Sequence, residues 1–376
     1  MRNFHLPGRS PVYAHRAMCA TSHPLASEAA IHVLRSGGNA VDAAITATAV
    51  LCVVEPAMTG IGGDCFAILR KPDGRLIGLN AAGRAPAAAT AGWYAERRIR
   101  AIEQTSPHAV TVPGALRGWA KLLADHGTRS LAECLAPAIE HAGEGFPVGA
   151  RVAHDWAGLV PKLEKNAGAR RHLLIEGRAP GVGERMRMPA LAASLRKIAR
   201  DGADAFYVGE LAEDMVRDLR ELGGLHTLSD FAAQDAEYVT PISSGYRGVT
   251  LHELPPSNQG IVALIVLKLL DRLGPLGRDP VSPERVHVTL EVARLAYAVR
   301  DRFVADPAQA DVPVNHMLSD DLIGSLAGRI DRKRRNPDLG PIPEPKGSDT
   351  IYMTVVDETG MAVSFINSLF AGFGSG

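Results

Sequence analysis

Residues 349–370 read DTIYMTVVDETGMAVSFINSLF and contain two runs of alternating side chains separated by a short polar segment. From Thr350 to Val356, polar or aromatic residues alternate with apolar ones, and β-branched side chains dominate, as in a strand with one buried face. Residues 357–360 supply turn chemistry, and residues 362–366 resume the alternation. The pattern predicts an antiparallel β-hairpin whose first strand begins at Thr350.

The segment upstream of the hairpin, residues 335–349, has the composition of an irregular chain. It contains four prolines and two glycines. Proline lacks a backbone N–H group and fixes its own φ angle, so this segment cannot form a regular helix or a central strand. We interpret it as a proline-rich segment that leads to a cleavage site at the start of a rigid strand.

Cleavage between Asp349 and Thr350 would create a threonine that carries both a hydroxyl and a free α-amine. A threonine hydroxyl is a poor nucleophile, but an amine with a pKa of about 8 on the same residue can remove its proton near neutral pH. The hydroxyl could first attack the carbonyl group upstream of it, and hydrolysis of the resulting ester would expose the amine. The stretch therefore predicts a self-cleaving N-terminal nucleophile, and the alternative is an ordinary hairpin with a threonine in its first strand.

The charge balance of the chain argues against nucleic acid as a partner. Its 376 residues include 41 lysines and arginines and 41 aspartates and glutamates, which gives a formal net charge of zero. A chain without net charge has no excess of positive charge to attract nucleic acid and no excess of negative charge to attract cationic partners. A small-molecule substrate is the expected partner.

Neither a metal nor a membrane is indicated by the sequence. The four cysteines form no CxxC motif, so buried free thiols are favoured over disulfides or a zinc site. No run approaches the roughly 20 apolar residues of a membrane span, and the N-terminus lacks the apolar core of a signal peptide. We expect a cytoplasmic protein without a metal.

Two helices and a glycine-rich turn are predicted in the N-terminal part. Ser27 has the chemistry of an N-cap for a first helix, which ends near Gly37. The second helix, from Ala40 to Val54, is apolar nearly all round and should be buried. Residues 60–63 (GIGG) precede a strand and lack the lysine and serine of a phosphate-binding loop, so we favour close backbone packing over nucleotide binding.

The order and spacing of these segments resemble the γ-glutamyltransferase (γ-glutamyltranspeptidase) family of N-terminal-nucleophile hydrolases. The segments that carry the resemblance are residues 37–44 (GGNAVDAA), 54–56 (VEP), 60–63 (GIGG), 349–357 and 373–376 (FGSG). The resemblance implies an α+β protein with an αββα sandwich, in which the strand beginning at Thr350 lies in a central antiparallel sheet. It also implies a helix-rich, large-subunit-like region over residues 1–349 and the start of a small-subunit-like region, apparently truncated, over residues 350–376.

The resemblance further implies roles for individual residues. Thr350 maps onto the family's nucleophile, Ser368 onto a threonine whose hydroxyl supports it, and Asp349-Thr350 onto the processing site. The position of the family's carboxylate-binding arginine is occupied by Ala82, so Arg84 becomes the expected substrate-binding residue. No cofactor or metal is implied. The expected partners are a small-molecule amide substrate and a water or amine acceptor, and the two cleaved subunits should stay paired.

Three further departures from the family pattern concern the substrate. Ile351 and Tyr352 stand where the family has a second threonine and a histidine, and Phe370 replaces an asparagine that contacts substrate. They indicate a conserved reaction with an altered, smaller substrate. Three functions stay open: γ-glutamyl transfer or hydrolysis, as in glutathione metabolism; oxamate amidohydrolase-like hydrolysis of a small amide that carries a carboxylate; and a non-catalytic scaffold or inactive fragment.

His287 and Glu291 lie four residues apart on another predicted helix. This spacing could indicate a metal site or an acid–base pair. No second histidine stands at ligand spacing, so we interpret the two residues as polar side chains on one helix face.

Overall fold

The computed structural model describes residues 11–339 and 350–376. The strands within these residues are β1 (Met18–Ala20), β2 (Asp64–Arg70), β3 (Leu76–Ala81), β4 (Phe146–Pro147), β5 (Arg185–Met186), β6 (Glu237–Val239), β7 (Ile242–Tyr246), β8 (Val249–Glu253), β9 (Ile351–Val356) and β10 (Ala362–Ser368). Six of them form one fully antiparallel sheet in the order β1-β9-β10-β2-β3-β6. The other four form two separate pairs, β4 with β5 and β7 with β8.

Helices account for most of the remaining described chain. They are α1 (Pro24–Arg35), α2 (Ala40–Val54), α3 (Ala91–Glu96), α4 (Ala115–His126), α5 (Leu131–Glu144), α6 (Ala150–Leu163), α7 (Ala167–Leu173), α8 (Pro189–Asp201), α9 (Asp204–Tyr207), α10 (Glu210–Glu221), α11 (Leu228–Ala232), α12 (Ile261–Leu273), α13 (Pro283–Phe303), α14 (Val314–Met317) and α15 (Asp320–Ala327). Two short 3-10 helices cover Pro107–Ala109 and Pro337–Leu339. Among the described helices, none combines the length and the apolar character that crossing a membrane requires.

The predicted hairpin is confirmed by the pairing of β9 with β10. The register places Ile351 opposite Asn367, one residue before the end of β10. The turn is closed by Asp357, whose carboxylate accepts a hydrogen bond of 2.9 Å from the backbone N–H of Thr359. The hairpin lies inside the sheet, because β1 pairs with β9 on one side and β2 pairs with β10 on the other.

Helix α2 packs against one face of the sheet, and all 15 of its residues are buried, as the sequence predicted. Asn39 caps its N-terminus in a capping box with Asp42. Small side chains let α1, α4 and α5 approach the helix closely. On the sheet side, the hydroxyl of Thr48 donates a weak hydrogen bond to the sulfur of Met353 at 3.6 Å. This helix is the centre of the main hydrophobic core.

The first helix begins earlier than predicted. Helix α1 starts at Pro24, and its N-cap is His23, whose Nδ1 accepts a hydrogen bond of 3.2 Å from the backbone N–H of Leu25. Ser27 lies inside the helix, with its hydroxyl 2.7 Å from that of Thr21. The assignment of Ser27 as N-cap was wrong because an imidazole nitrogen can accept the same capping bond and proline fits the first helical turn.

The fold class is confirmed as α+β, with helices layered on one face of the large sheet. Residues of β9 that point toward α2, such as Met353, are fully buried, whereas Tyr352 and Val356 on the opposite face are 55% and 37% exposed. The described residues therefore contain one helical layer and one large sheet of the predicted αββα sandwich.

The cysteines behave as predicted from their spacing. All four are free thiols, and Cys52, Cys65 and Cys134 are buried. Burial raises the pKa of Cys52 to about 12 and that of Cys134 to about 11. These thiols stay protonated and poorly nucleophilic near neutral pH.

Helices α12, α13 and α15 enclose a second apolar cluster, separate from the main core. On α13, His287 and Glu291 have different partners. The Nε2 of His287 lies 2.8 Å from the carbonyl oxygen of Asp331, while Glu291 accepts hydrogen bonds from Arg294 at 2.6 Å and from the backbone N–H of Asn336 at 2.9 Å. Both side chains thus bind the segment that follows α15 and fix it against α13. This agrees with their interpretation as polar side chains on one face of that helix.

We expect Asp42→Ala to destabilise the fold strongly. The fully buried carboxylate accepts backbone hydrogen bonds from Asn39 (2.8 Å), Thr128 (2.8 Å) and Arg129 (3.1 Å), and a hydroxyl bond from Thr128 (2.6 Å). Each buried donor left without an acceptor costs roughly 1–3 kcal/mol, so the free energy of unfolding should fall by about 3 kcal/mol or more. The measurement is the denaturation midpoint of the purified variant.

Asp73→Ala is the matched control for this experiment. Asp73 pairs with Arg75 on the surface, where the two side chains are 51% and 72% exposed. Because exposed ion pairs contribute little, the control midpoint should match that of the wild type. An equal midpoint for the Asp42 variant would contradict the structural role of this carboxylate.

Candidate active site

The hydroxyl groups of Thr350 and Ser368 meet at one end of the hairpin. Thr350 directly precedes β9, and Ser368 ends β10, so the antiparallel register brings them together. Their oxygens lie 3.0 Å apart. The Ser368 oxygen also accepts a hydrogen bond of 3.0 Å from the backbone N–H of Phe370. Either hydroxyl can be the donor in the hydrogen bond between Thr350 and Ser368.

The position of Ser368 is fixed by a close backbone contact with the glycine-rich turn. A Cβ atom at Gly63 would lie 2.1 Å from the carbonyl oxygen of Ser368, which is closer than any side chain allows. The turn was therefore correctly predicted as a site of close backbone packing. Glycine at this position lets the turn support the end of β10.

A buried amide adds a second support for the end of β10. Asn367 is fully buried, and its side-chain oxygen accepts a hydrogen bond of 3.0 Å from the indole N–H of Trp119. Its side-chain nitrogen donates to the hydroxyl of Thr59 at 2.8 Å and to the carbonyl of Gly60 at 3.1 Å. Helix α4, the turn and β10 are thus joined directly beneath the two hydroxyls.

Phe370 adopts a backbone conformation that is unusual for its type. Its φ angle is +71°, in the left-handed region, and its side chain is 72% exposed. Such a conformation is unfavourable for a residue with a Cβ atom and persists where the surroundings impose it. Here it aims the N–H group of Phe370 at Ser368.

Thr350 opens into a cavity of about 360 Å³ between β9, the end of α2 and α6. The polar residues that line it beside Thr350 include Ser22, Glu55, Arg151, Asp155 and Tyr352. Arg151 and Asp155 form an ion pair of 3.3 Å within α6, and the Arg151 side chain is 80% exposed. The cavity therefore contains both signs of charge next to the threonine.

Glu55 is the buried acid of this cavity. It is 6% exposed, and its carboxylate accepts a short hydrogen bond from the hydroxyl of Ser22. Burial raises the pKa of Glu55 above its ordinary value, while the Ser22 hydrogen bond and the charge of Arg151 act in the opposite direction. Neither residue received a role from the sequence, although an acid at the end of an apolar helix is a signal that could have singled out Glu55.

A second acid, Asp64, lies on the other side of Ser368. The two residues are register partners in β2 and β10. The Asp64 carboxylate accepts a hydrogen bond of 2.7 Å from the backbone N–H of Gly83, and burial raises its pKa to about 6. Sequence reasoning missed this residue because only the strand pairing brings it beside Ser368.

Arg84 is not brought into contact with the two hydroxyls. It is exposed, and its backbone is held by Gln234 (3.2 Å to its N–H) and by Val112 (2.9 Å to its carbonyl). Ala82, two residues earlier, directly follows β3. Because β10 and β2 lie between β9 and β3, three strand spacings of roughly 4.8 Å, about 14 Å in total, separate the backbone at Ala82 from that at Thr350. Asp349, the other half of the predicted processing site, lies outside the described residues.

The chain is similar to known proenzymes over nearly its whole length. The family described as gamma-glutamyltranspeptidase matches residues 26–376. Oxamate amidohydrolase proenzyme of Klebsiella pneumoniae is 39% identical over 366 residues, which cover 96% of this chain and 68% of that protein. Glutathione hydrolase-like YwrD proenzyme of Bacillus subtilis is 36% identical, again over 96% of this chain and 68% of that protein.

Solved structures agree with these matches. The crystal structure of cephalosporin acylase from Bacillus halodurans superposes with a TM-score of 0.88 at 36% identity, covering 100% of this chain and 70% of that chain. That of Helicobacter pylori gamma-glutamyltranspeptidase gives a TM-score of 0.79 at 26% identity, covering 91% of this chain and 100% of that chain. The predicted resemblance is confirmed, and the chain belongs to the gamma-glutamyltranspeptidase family of N-terminal-nucleophile enzymes.

Proposed function

We propose that this protein is an amidohydrolase that cuts its own chain before Thr350 and then uses Thr350 to cleave an amide through an acyl-enzyme. The observation that carries the proposal is the 3.0 Å contact between the hydroxyls of Thr350 and Ser368 at the start of a central strand. The proenzyme names of the similar proteins support the cleavage step.

The proposed turnover uses the α-amine that cleavage would release. This amine removes the proton of the Thr350 hydroxyl as the oxygen attacks the substrate carbonyl, and the leaving amine takes a proton as the acyl-enzyme forms. Water or an amine then attacks the ester and regenerates the hydroxyl. In this mechanism the Ser368 hydroxyl, 3.0 Å from that of Thr350, donates a hydrogen bond to the Thr350 oxygen, while the Ser368 oxygen accepts the N–H of Phe370.

We also propose that residues 1–349 and 350–376 belong to different subunits after cleavage and that the subunits stay paired. The supporting observation is the strand order, in which the β9–β10 hairpin is hydrogen-bonded between β1 and β2. Both neighbours precede the proposed cut, so one sheet holds the two products together. Separation would break two strand interfaces in the core of the protein.

Two substrate classes are candidates for the acyl donor. One is the γ-glutamyl group, as the family name indicates. The other is a small amide with an adjacent carboxylate, such as oxamate. The 39% identity to oxamate amidohydrolase proenzyme favours the second class, as does Ala82 at the position of the family's carboxylate-binding arginine. In that case Arg84 is the candidate partner of the carboxylate.

The self-cleavage proposal predicts that Thr350→Ala abolishes chain cleavage. The variant lacks the attacking oxygen, whereas Thr350→Ser keeps it and should still be cut. The measurement is intact mass after incubation at neutral pH, with two fragments that divide before Thr350 expected for the wild type. Thr354→Ala, a change on the same face of β9, is the control that should be cut normally. An uncut wild-type protein would favour the non-catalytic scaffold instead.

For the processed enzyme, Ser368→Ala should lower kcat with little change in KM. Loss of one hydrogen bond to the nucleophile removes about 1–1.5 kcal/mol, or roughly tenfold in rate. Ser364→Ala is the matched control, because Ser364 lies on the same face of β10 and its hydroxyl is 3.1 Å from that of Tyr352. Equal kcat values for the two variants would remove Ser368 from the mechanism.

If the substrate carries a carboxylate that Arg84 binds, Arg84→Ala should raise KM for that substrate. A lost charge-assisted hydrogen bond of about 1.5–3 kcal/mol corresponds to roughly a 10- to 150-fold increase. Turnover of oxamate is compared with that of a γ-glutamyl anilide, with Arg75→Ala as a surface control. An unchanged KM for both substrates would exclude Arg84 as the carboxylate partner.

A further inference from the structure

Self-cleavage poses a proton-transfer problem that later turnover does not. Before the chain is cut, the nitrogen of Thr350 is bound in an amide and cannot act as a base. The Thr350 hydroxyl must still lose a proton as it attacks, and the neighbouring Ser368 hydroxyl is no base near neutral pH. A different group has to accept this proton. The inference below rests on the proposed self-cleavage.

The cavity beside Thr350 contains a carboxylate suited to that role. Glu55 caps the C-terminal end of α2, where its carbonyl oxygen accepts the backbone N–H groups of Met58 (2.9 Å) and Thr59 (3.3 Å). These bonds fix the backbone from which the side chain reaches the cavity. Ser22 binds one carboxylate oxygen, Oε2, and leaves Oε1 as a second acceptor.

The surroundings of Glu55 raise its affinity for a proton. Among the described residues, the other charged or titratable side chains that line the cavity are Arg151 and Asp155 of α6 and Tyr352 of β9. Burial is the largest influence and raises the pKa of Glu55, Asp155 adds to the rise, and Arg151 and Ser22 oppose it. A carboxylate with a raised pKa is a stronger base than an exposed one.

We propose that Glu55 accepts the Thr350 hydroxyl proton during self-cleavage, through a water molecule in the cavity they share. A cavity of about 360 Å³ has room for such a water, at roughly 30 Å³ each, and its lining is polar. As the Thr350 oxygen bonds to the Asp349 carbonyl carbon, its proton passes to Glu55. When the C–N bond breaks, the proton returns to the leaving nitrogen, and water then hydrolyses the ester to a carboxylate and the free hydroxyl.

Asp155 faces the same cavity but is a weaker candidate. Its carboxylate is already engaged by the Arg151 side chain at 3.3 Å within the same helix. Asp155→Asn therefore makes the same change of charge in the same cavity without removing the proposed base. It is the matched control for Glu55→Gln.

The test follows chain cleavage over time in protein made by cell-free synthesis, with intact mass as the readout and pH as the variable. For the wild type, the cleavage rate should rise with pH as Glu55 loses its proton and then level off. Because burial raises the pKa of Glu55, this rise should occur at a higher pH than it would for an exposed carboxyl group. Glu55→Gln should be at least tenfold slower, because general bases contribute roughly 10²–10⁴ in rate, and should lose that rise. Asp155→Asn should keep the pH-dependent rise, moved to a lower pH because Asp155 adds to the raised pKa of Glu55, and should level off within twofold of the wild-type rate.

Two further measurements separate this role from a structural one. Glu55→Asp keeps a carboxylate, so it should be slower than the wild type but retain the pH-dependent rise, even if Glu55→Gln fails to fold. The denaturation midpoint of the Glu55→Gln variant, compared with that of the wild type, shows whether slow cleavage reflects a destabilised fold instead of a lost base.

The outcomes distinguish the two proposals. An uncut wild-type chain would overturn the proposed function itself. A wild-type chain that is cut, together with a Glu55→Gln variant cut at the same rate and with the same pH dependence, would overturn only the role of Glu55.

Discussion

The burial of helix α2 on every side fixes the positions of the elements packed around it. At its N-terminal end, the backbone N–H of Ala40 donates a hydrogen bond of 3.0 Å to Asp357 in the β9–β10 turn. At its C-terminal end, Glu55 reaches the cavity beside Thr350. One helix therefore sets the position of both ends of the hairpin. Its alanine-rich surface allows this, because small side chains let neighbouring elements approach closely.

The candidate nucleophile gains its rigidity from the sheet. Thr350 precedes a strand that is hydrogen-bonded on both sides, and its partner Ser368 ends the neighbouring strand. Gly63 and Asn367 fix Ser368 from below through a close backbone approach and a buried amide. A site built on paired strands keeps its geometry better than one built on a loop, which suits chemistry that needs two oxygens held about 3 Å apart.

Much of the local structure was predictable, since it follows from short-range patterns. The alternation after Thr350, the apolar run from Ala40 to Val54 and the glycines at 60–63 each specify their own conformation. The N-cap of α1 was not predictable in this way, because His23 is an uncommon capping residue and competed with Ser27, a common one. Local sequence rules favour the residue types that most often serve as N-caps, whereas tertiary contacts determine which residue caps the helix.

The hairpin, the buried helix and the family could be predicted from the sequence, because they depend on periodicity and on motifs. The family resemblance also predicted that Ser368 supports Thr350, and the catalytic roles of the two residues stay predictions. Only the tertiary structure decided the rest of the site. Glu55 shares a cavity with Thr350, although almost 300 residues separate them, and Arg84 lies apart from it. Contacts of this kind arise from the packing of α2 against the sheet and from the position of α6 beside the same cavity, and no local pattern encodes them.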